Sequence, residues 1–288
     1  MKLTDCLSIQ DVKEEFKKIP MQSFDIKKEI LAQPLTKKKD GRVGTAFDYL
    51  LRFYLKYLNP QAITHGWVAE SSLEGLKKIV EMNINKLTKD QRIVLPLLKD
   101  WYTKGKEELT LAKERYTQFL ETGQVTDNLI KSTLYLSKLD SIYRAGYIKA
   151  NFEYVDKNSI KDLKNLISIV KPELFKAKKV CILNPIFKRS TVELIVIGDA
   201  DLVIDDMVID IKTTIKLQNR RDYYHQLIGY YILYKIKGIV GMPETHKIKK
   251  LGLYFSRHSI LRVYDTDYFE NKEFSNFIDW FKERTTKK

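Results

Sequence analysis

The chain has 288 residues, which at roughly 100 to 200 residues per domain makes one large domain or two ordinary ones. A hydrophobic content of 44% and a charged content of 31% describe a globular protein, and no apolar stretch approaches the roughly 20 residues needed to cross a bilayer, which excludes a membrane-spanning chain. Lys and Arg number 51 against 37 Asp and Glu, a net charge of +14; unless the excess is only compositional, such a balance draws polyanions through long-range attraction and counterion release, and nucleic acid is the first partner to expect.

The opening MKLTDCLSIQ carries Asp5 and no continuous apolar run, so it does not read as a secretory signal, and cytoplasmic residence is the expectation. Cys6 and Cys181 are the two cysteines and lie far apart, too few for a disulfide framework or a four-cysteine zinc or iron–sulfur site. From Ser23 to about Leu174 apolar residues recur at three and four, which predicts helices. One runs through Phe47, Leu50, Leu51, Tyr54 and Leu58 and the next through Leu73, Leu76, Ile79 and Val80. A third spans Thr88 to about Leu120, where Pro96 should kink or split it. Others span Thr126 to about Ile148 and Asn158 to Leu174, the last capped by Ser159 or Asn158.

After Pro172 the pattern changes. Val180–Phe187, Val192–Ile204 and Met207–Ile211 are rich in β-branched residues and predict strands, with Asp205-Asp206 as a hairpin turn. Helical spacing returns from Arg220 to Tyr234, then come strands over Leu251–Ser256 and Ile260–Tyr264 and a helix over Glu273–Arg284. The expected architecture is α+β: a mainly α-helical region over 1–175 that contributes no strands, and a sheet-bearing core over 176–288.

The chemistry concentrates between Glu193 and Thr214. In a strand alternate residues share a face, so Asp199 and Asp201 point one way, with Glu193 of the same parity, and Val208, Asp210 and Lys212 share a face of the partner strand. Their neighbours are apolar on both faces, and burying such charges unpartnered costs several kcal/mol or more apiece. Two compensations are open. One is a buried Asp–Lys pair. The other is a divalent cation, Mg²⁺ or Mn²⁺, held by Asp201, Asp210 and the backbone carbonyl of Ile211, with Lys212 at its margin, an arrangement suited to phosphodiester hydrolysis. On the following helix Gln226 and Tyr230 lie four apart on one face, and the Gln226 amide needs polar partners there.

The succession Gly198-Asp199-Ala200-Asp201, Asp210-Ile211-Lys212-Thr213, and Gln226-x-x-x-Tyr230 resembles the PD-(D/E)xK nuclease superfamily in its RecB-like branch, over roughly Val180 to Tyr264. The resemblance implies a restriction-endonuclease-like core, a mixed sheet with flanking helices, and a Mg²⁺- or Mn²⁺-dependent deoxyribonuclease. Asp201, Asp210 and Lys212 inherit catalytic roles, and Gln226 and Tyr230 an active-site or DNA-contacting one. Asp201 is favoured over Asp199 because it completes G-x-x-D. The branch also carries a G-x-x-x-H helix whose histidine reaches the metal; here Gly44 to Asp48 puts aspartate in that place. Asp48 is either a ligand or a solvated residue, and as a ligand it would bring the 40–58 helix onto the core.

Among basic clusters, Lys37-Lys38-Lys39 reads as loop charge, whereas Arg220 and Arg221, with Tyr223 and Tyr224 beside them, are candidates for phosphate contact and base stacking. The four histidines show no ligand spacing. The expected partner is DNA, duplex or single-stranded, with room for protein partners in a repair, phage or defence complex. The alternative is a catalytically inactive protein that keeps the fold to bind DNA or scaffold an assembly.

Overall fold

The computed structural model describes residues 1–21, 29–35, 41–83, 88–145, 152, 154–188, 194–217 and 220–286, with only the backbone of 91 and 143–145. They form two compact units, one of residues 1–31, 58–65 and 171–288, the other of 32–57 and 66–170. The change of pattern at Pro172 predicts one boundary near 175, whereas the sheet-bearing unit also takes in the first 31 residues and 58–65. No described helix is long and apolar enough to cross a membrane.

The sheet-bearing unit opens with α1 (Leu3–Cys6) and α2 (Gln10–Lys17), which the expected start of helix at Ser23 misses. Their signal is short but present: Leu3, Cys6, Val12, Phe16 and Ile19 are buried and spaced three to six apart, while lysines and glutamates fill the outer face. Among the described residues the unit's strands are β1 (Ile63–Thr64), β2 (Cys181–Leu183), β3 (Leu202–Ile204), β4 (Met207–Lys212), β5 (Lys250–Phe255) and β6 (Ile260–Asp265), side by side in that order. β1 is parallel to β2, so the region expected to give no strand does supply one. β2, β3 and β4 run antiparallel, β4 and β5 parallel, and β5 and β6 antiparallel. A parallel neighbour requires a crossover. Here it is α8 (Arg221–Lys237), which packs against both β4 and β5, and α9 (Lys272–Thr285) packs on α8 in turn. This is an α+β unit with a mixed sheet and flanking helices.

Two strands are much shorter than their apolar runs predict. Residues 194–199 make only isolated bridges, because their backbone groups go to the chain ends: Leu3 and Ile195 donate to the carbonyls of Ile197 and Thr285, and Ile197 donates to Met1. The predicted turn is present, with Asp205 at φ 48°. Its carboxylate accepts the backbone N–H groups of Lys178, Lys179 and Val180 at 2.7–3.1 Å. Partial burial opposes the charge, but these three donors outweigh it and hold the carboxyl below its usual range.

The second unit is helical: α3 (Arg42–Leu58, of which 42–57 belong here), α4 (Val68–Val80), α5 (Lys89–Thr122), α6 (Asp127–Ala145) and α7 (Lys157–Ser168). Helices α4, α5 and α6 pack pairwise. Pro96 does not split α5, which runs through it. The cap of α7 is Asp156, two residues before Asn158 and three before Ser159, its side chain accepting from Asn158 N–H. A buried polar set threads this unit. The Tyr49 hydroxyl donates to Asp140 at 2.6 Å, and the Lys138 ammonium donates to the carbonyls of Phe152 and Tyr154. Burial, with Arg42 nearby, pulls Lys138 down to about 8.

Candidate functional site

The site forms at one end of the β3–β4 hairpin. Leu202 pairs with Ile209, and continuing that register by one residue sets Asp201 across from Asp210. Asp201 Oδ2 accepts the Ile211 N–H at 2.6 Å, fixing this carboxylate beside the D-x-K segment. Asp210 and Lys212, two apart on β4, share a face as strand periodicity dictates, and Asp210 Oδ2 lies 2.7 Å from Lys212 Nζ. Asp210 is buried at 3% exposure, whereas 17% of the Lys212 side chain stays accessible.

Helix α8 supplies the other wall. The Lys212 ammonium donates to Gln226 Oε1 at 2.8 Å, Gln226 Nε2 donates to the Tyr230 hydroxyl at 2.6 Å, and that hydroxyl donates to the Asp199 carbonyl at 2.8 Å. Asp210 Oδ1 lies 3.5 Å from the same hydroxyl. One helical turn separates Gln226 from Tyr230, so the chain of hydrogen bonds fixes the amide: oxygen toward the ammonium, nitrogen toward the phenol. Gly198, the glycine of G-x-x-D, is there for space. A methyl at this position would come 2.6 Å from Leu233 Cδ1 and 3.3 Å from Tyr230 Cδ1, so only hydrogen lets this segment lie against α8.

Burial works against the Lys212 charge, but Asp210 by charge and hydrogen bond, with Asp201 behind it, outweighs burial and raises Lys212 above its ordinary 10.5. Burial and then the charges of Asp210 and Asp201 raise Tyr230 well above the usual phenol value. Tyr230 therefore stays a neutral donor, and both carboxylates act on one hydroxyl.

Asp201, Asp210, Lys212, Gln226 and Tyr230 thus come together in one cluster. Asp199 does not join by its side chain, which is exposed; its carbonyl does. Glu193 and Lys37 to Lys39 lie outside the described residues. Asp48 sits on α3 in the helical unit, where its Oδ2 is 2.5 Å from Arg52, an i,i+4 ion pair. Arg220 and Arg221 are exposed, Arg220 holding Asp222 at 2.5 Å. Tyr224 needs correction as a base-stacking residue: it is fully buried, its ring 5.0 Å from Tyr264 and its hydroxyl on the Pro20 carbonyl. Helix phase is the reason. Tyr224, Leu227 and Tyr231 form the core stripe, while the stripe through Gln226 and Tyr230 begins at Tyr223, three residues before Gln226. Tyr223 is half-buried with Lys212 Nζ 4.6 Å and the Arg220 guanidinium 4.8 Å from its ring centre. The spacing 223, 226, 230 was there to identify it.

Among the described residues no group of three His, Cys, Asp or Glu is placed to hold a metal ion. The donors that do converge, the carboxylates of Asp201 and Asp210, are hard oxygens. They match a dication that keeps several waters of its own, and not a zinc or iron site closed by protein ligands. Comparison with known proteins adds no relative: no family model, curated protein or solved structure matches the chain.

Proposed function

We propose that the chain is a metal-dependent nuclease that hydrolyses DNA phosphodiester bonds, with the sheet-bearing unit as a restriction-endonuclease-like core. The observation that carries this is the setting of Lys212. Its ammonium is pinned by Asp210 from β4 and Gln226 from α8, beside a second carboxylate, while the side chain as a whole keeps 17% of its surface accessible. Asp201, Asp210 and the Ile211 carbonyl would hold Mg²⁺ or Mn²⁺. Such an ion, when bound, polarises a phosphate and acidifies a water. Lys212 offers a fixed positive charge to the phosphate oxygen that gains charge in the transition state, and its high proton affinity keeps it charged through neutral pH. Gln226 sets the direction of the ammonium, and Tyr230, anchored on the Asp199 carbonyl, sets Gln226. Asp48, paired with Arg52 on α3 in the helical unit, is given no role in this reading. Arg220, Arg221 and the Tyr223 ring are the surface offered to the strand.

One feature favours a second reading, a protein that binds DNA without cutting it: Asp210 and Lys212 match each other's charge without help. Incubation with linear duplex, circular duplex and single-stranded DNA, each in Mg²⁺, Mn²⁺ or EDTA, separates the two. The nuclease gives metal-dependent cleavage that falls at least about 10²-fold in Asp210→Asn and in Lys212→Ala, the scale of a lost metal ligand or transition-state charge. Binding of DNA without cleavage of any substrate in either metal would leave the binder.

A further inference from the structure

The Lys212 ammonium carries three N–H groups. Two have acceptors, Asp210 Oδ2 at 2.7 Å and Gln226 Oε1 at 2.8 Å, and no third acceptor stands within hydrogen-bond distance among the described residues. Its further neighbour is a ring. Nζ stands over Tyr223, 4.6 Å from the ring centre, inside the roughly 6 Å at which an aromatic face attracts a cation. Tyr223 lies in the first turn of α8, three residues before Gln226 and on the same face, so the helix that supplies the amide also supplies the ring.

Two oxygens alone leave an ammonium poorly fixed. The four-carbon stem of lysine is flexible, and a group held by two hydrogen bonds can still swing about the line between their acceptors. A third oxygen would hold it, but would also take the last N–H. An aromatic face acts differently. Its negative quadrupole attracts the charge as a whole and claims no particular proton, which leaves the third N–H able to turn to a phosphate oxygen. The ring is itself placed: it is half-buried, and the Arg220 guanidinium, paired with Asp222 at 2.5 Å, lies 4.8 Å from its centre.

We infer that Tyr223 is a positioning residue of the site, whose ring face, not its hydroxyl, braces the Lys212 ammonium so that one N–H stays available to the substrate phosphate. The brace rests on the geometry; its use in cleavage rests on the nuclease reading. Tyr223→Phe keeps the ring face, whereas Tyr223→Leu and Tyr223→Met keep apolar bulk without it, so the three variants separate a brace from packing.

The first measurement needs no cleavage. In protein with ¹³C-labelled lysine, in EDTA, the Lys212 ε-methylene signal is identified by its absence from Lys212→Met. It should be displaced by the ring current in wild type and in Tyr223→Phe, and return toward the exposed-lysine position in Tyr223→Leu and Tyr223→Met. One position shared by wild type and all three variants would overturn the brace. The second measurement is single-turnover cleavage of DNA at saturating protein in Mn²⁺. Tyr223→Leu and Tyr223→Met should each be slower by about tenfold, the size of a cation–aromatic contact between its exposed and desolvated limits, and Tyr223→Phe should stay within about twofold of wild type on the same scale. A loss confined to DNA affinity, with the saturated rate unchanged, would overturn the positioning role, and so would a Phe variant as slow as the Leu one. Wild-type protein that cleaves nothing in Mg²⁺ or Mn²⁺ would sink the nuclease reading, and the lysine signal would still decide the brace.

Discussion

Replacing Lys212 by Met keeps the length and removes the charge, which makes it the sharpest probe of the cluster. Removing one partner of a buried pair costs about 3–5 kcal/mol, because the other charge is left in a low-dielectric site. Asp210 is nearly sealed at 4% side-chain exposure, but the Lys212 side chain keeps 17%, so the lower end, about 3 kcal/mol, is expected at pH 8. Loss of the donor to Gln226 Oε1 is included in that figure. The penalty is conditional on Asp210 staying ionised. In the variant the folded state holds the Asp210 proton more tightly than the unfolded state does. Stability therefore falls as pH rises between the two proton affinities, and the deficit disappears toward acid pH, where both states are protonated. Wild type behaves oppositely at the other end of the scale: the raised Lys212 value means the pair's contribution is present below about 10.5 and is lost as pH climbs through the folded value. Urea unfolding by far-UV circular dichroism at pH 5 and 8, in EDTA, reads the difference. Adding Asp210→Asn to Lys212→Met should recover most of the loss. A deficit that is the same at both pH values, or a double variant no better than the single one, would refute the isolated-pair account.

Gly198→Val should destabilise by about 1–3 kcal/mol through overpacking against Leu233 and Tyr230, and the metal-free melting temperature measures it; an unchanged melt would mean the segment can retreat from α8. Asp205→Ala removes the acceptor of three N–H groups and should cost about 1–3 kcal/mol in urea unfolding. Because the depressed Asp205 contributes its stability above the ordinary carboxyl range, the difference from wild type should shrink as pH falls below about 4. His225, depressed from 6.5 to about 4, binds its proton in the unfolded state first. Stability should fall as pH drops through that window, and His225→Phe should remove this component; an identical pH profile in the variant would show that His225 does not titrate there.

The parts legible in the sequence are those governed by a short period. Alternation placed Asp210 and Lys212 on one face, the 3.6-residue period placed Gln226 above Tyr230, and Asp205-Asp206 marked the turn. What stayed hidden depended on partners far along the chain. The run from Leu194 looks like a strand because it is apolar, but its backbone bonds go to Met1, Leu3 and Thr285, which no local pattern announces. β1 is two residues long and exists through pairing with Ile182 and Leu183. Tyr223 and Tyr224 both neighbour the arginines in sequence, and only the phase of Gln226 and Tyr230 assigns Tyr223 to the stripe of the cluster and Tyr224 to the core. The packing of α2 on α8, Phe16 against His225, is likewise a contact across some two hundred residues.

Position in the sheet explains why charge can be kept here. Lys212 is the last residue of β4 and Asp201 the residue before β3 begins, so the cluster sits where the hairpin leaves the core and α8 starts its return. Inside the sheet the same residues would face Val203, Val208 and Leu251, all fully buried, with no donor in reach. At the strand end, the Ile211 N–H, the Gln226 amide and the Tyr230 phenol are all available, each supplied by an element that already has to be there to complete the parallel β4–β5 crossover. The carboxyl end of such a strand, beside the start of a helix, is where open sheets place ligand sites, and the α8 N-terminus adds positive potential on the same side. Stability alone would be served as well by apolar residues of equal volume in place of a buried ion pair. Holding an ammonium charged between a carboxylate and an amide is something apolar packing cannot do, and the proposed function gives that difference a use.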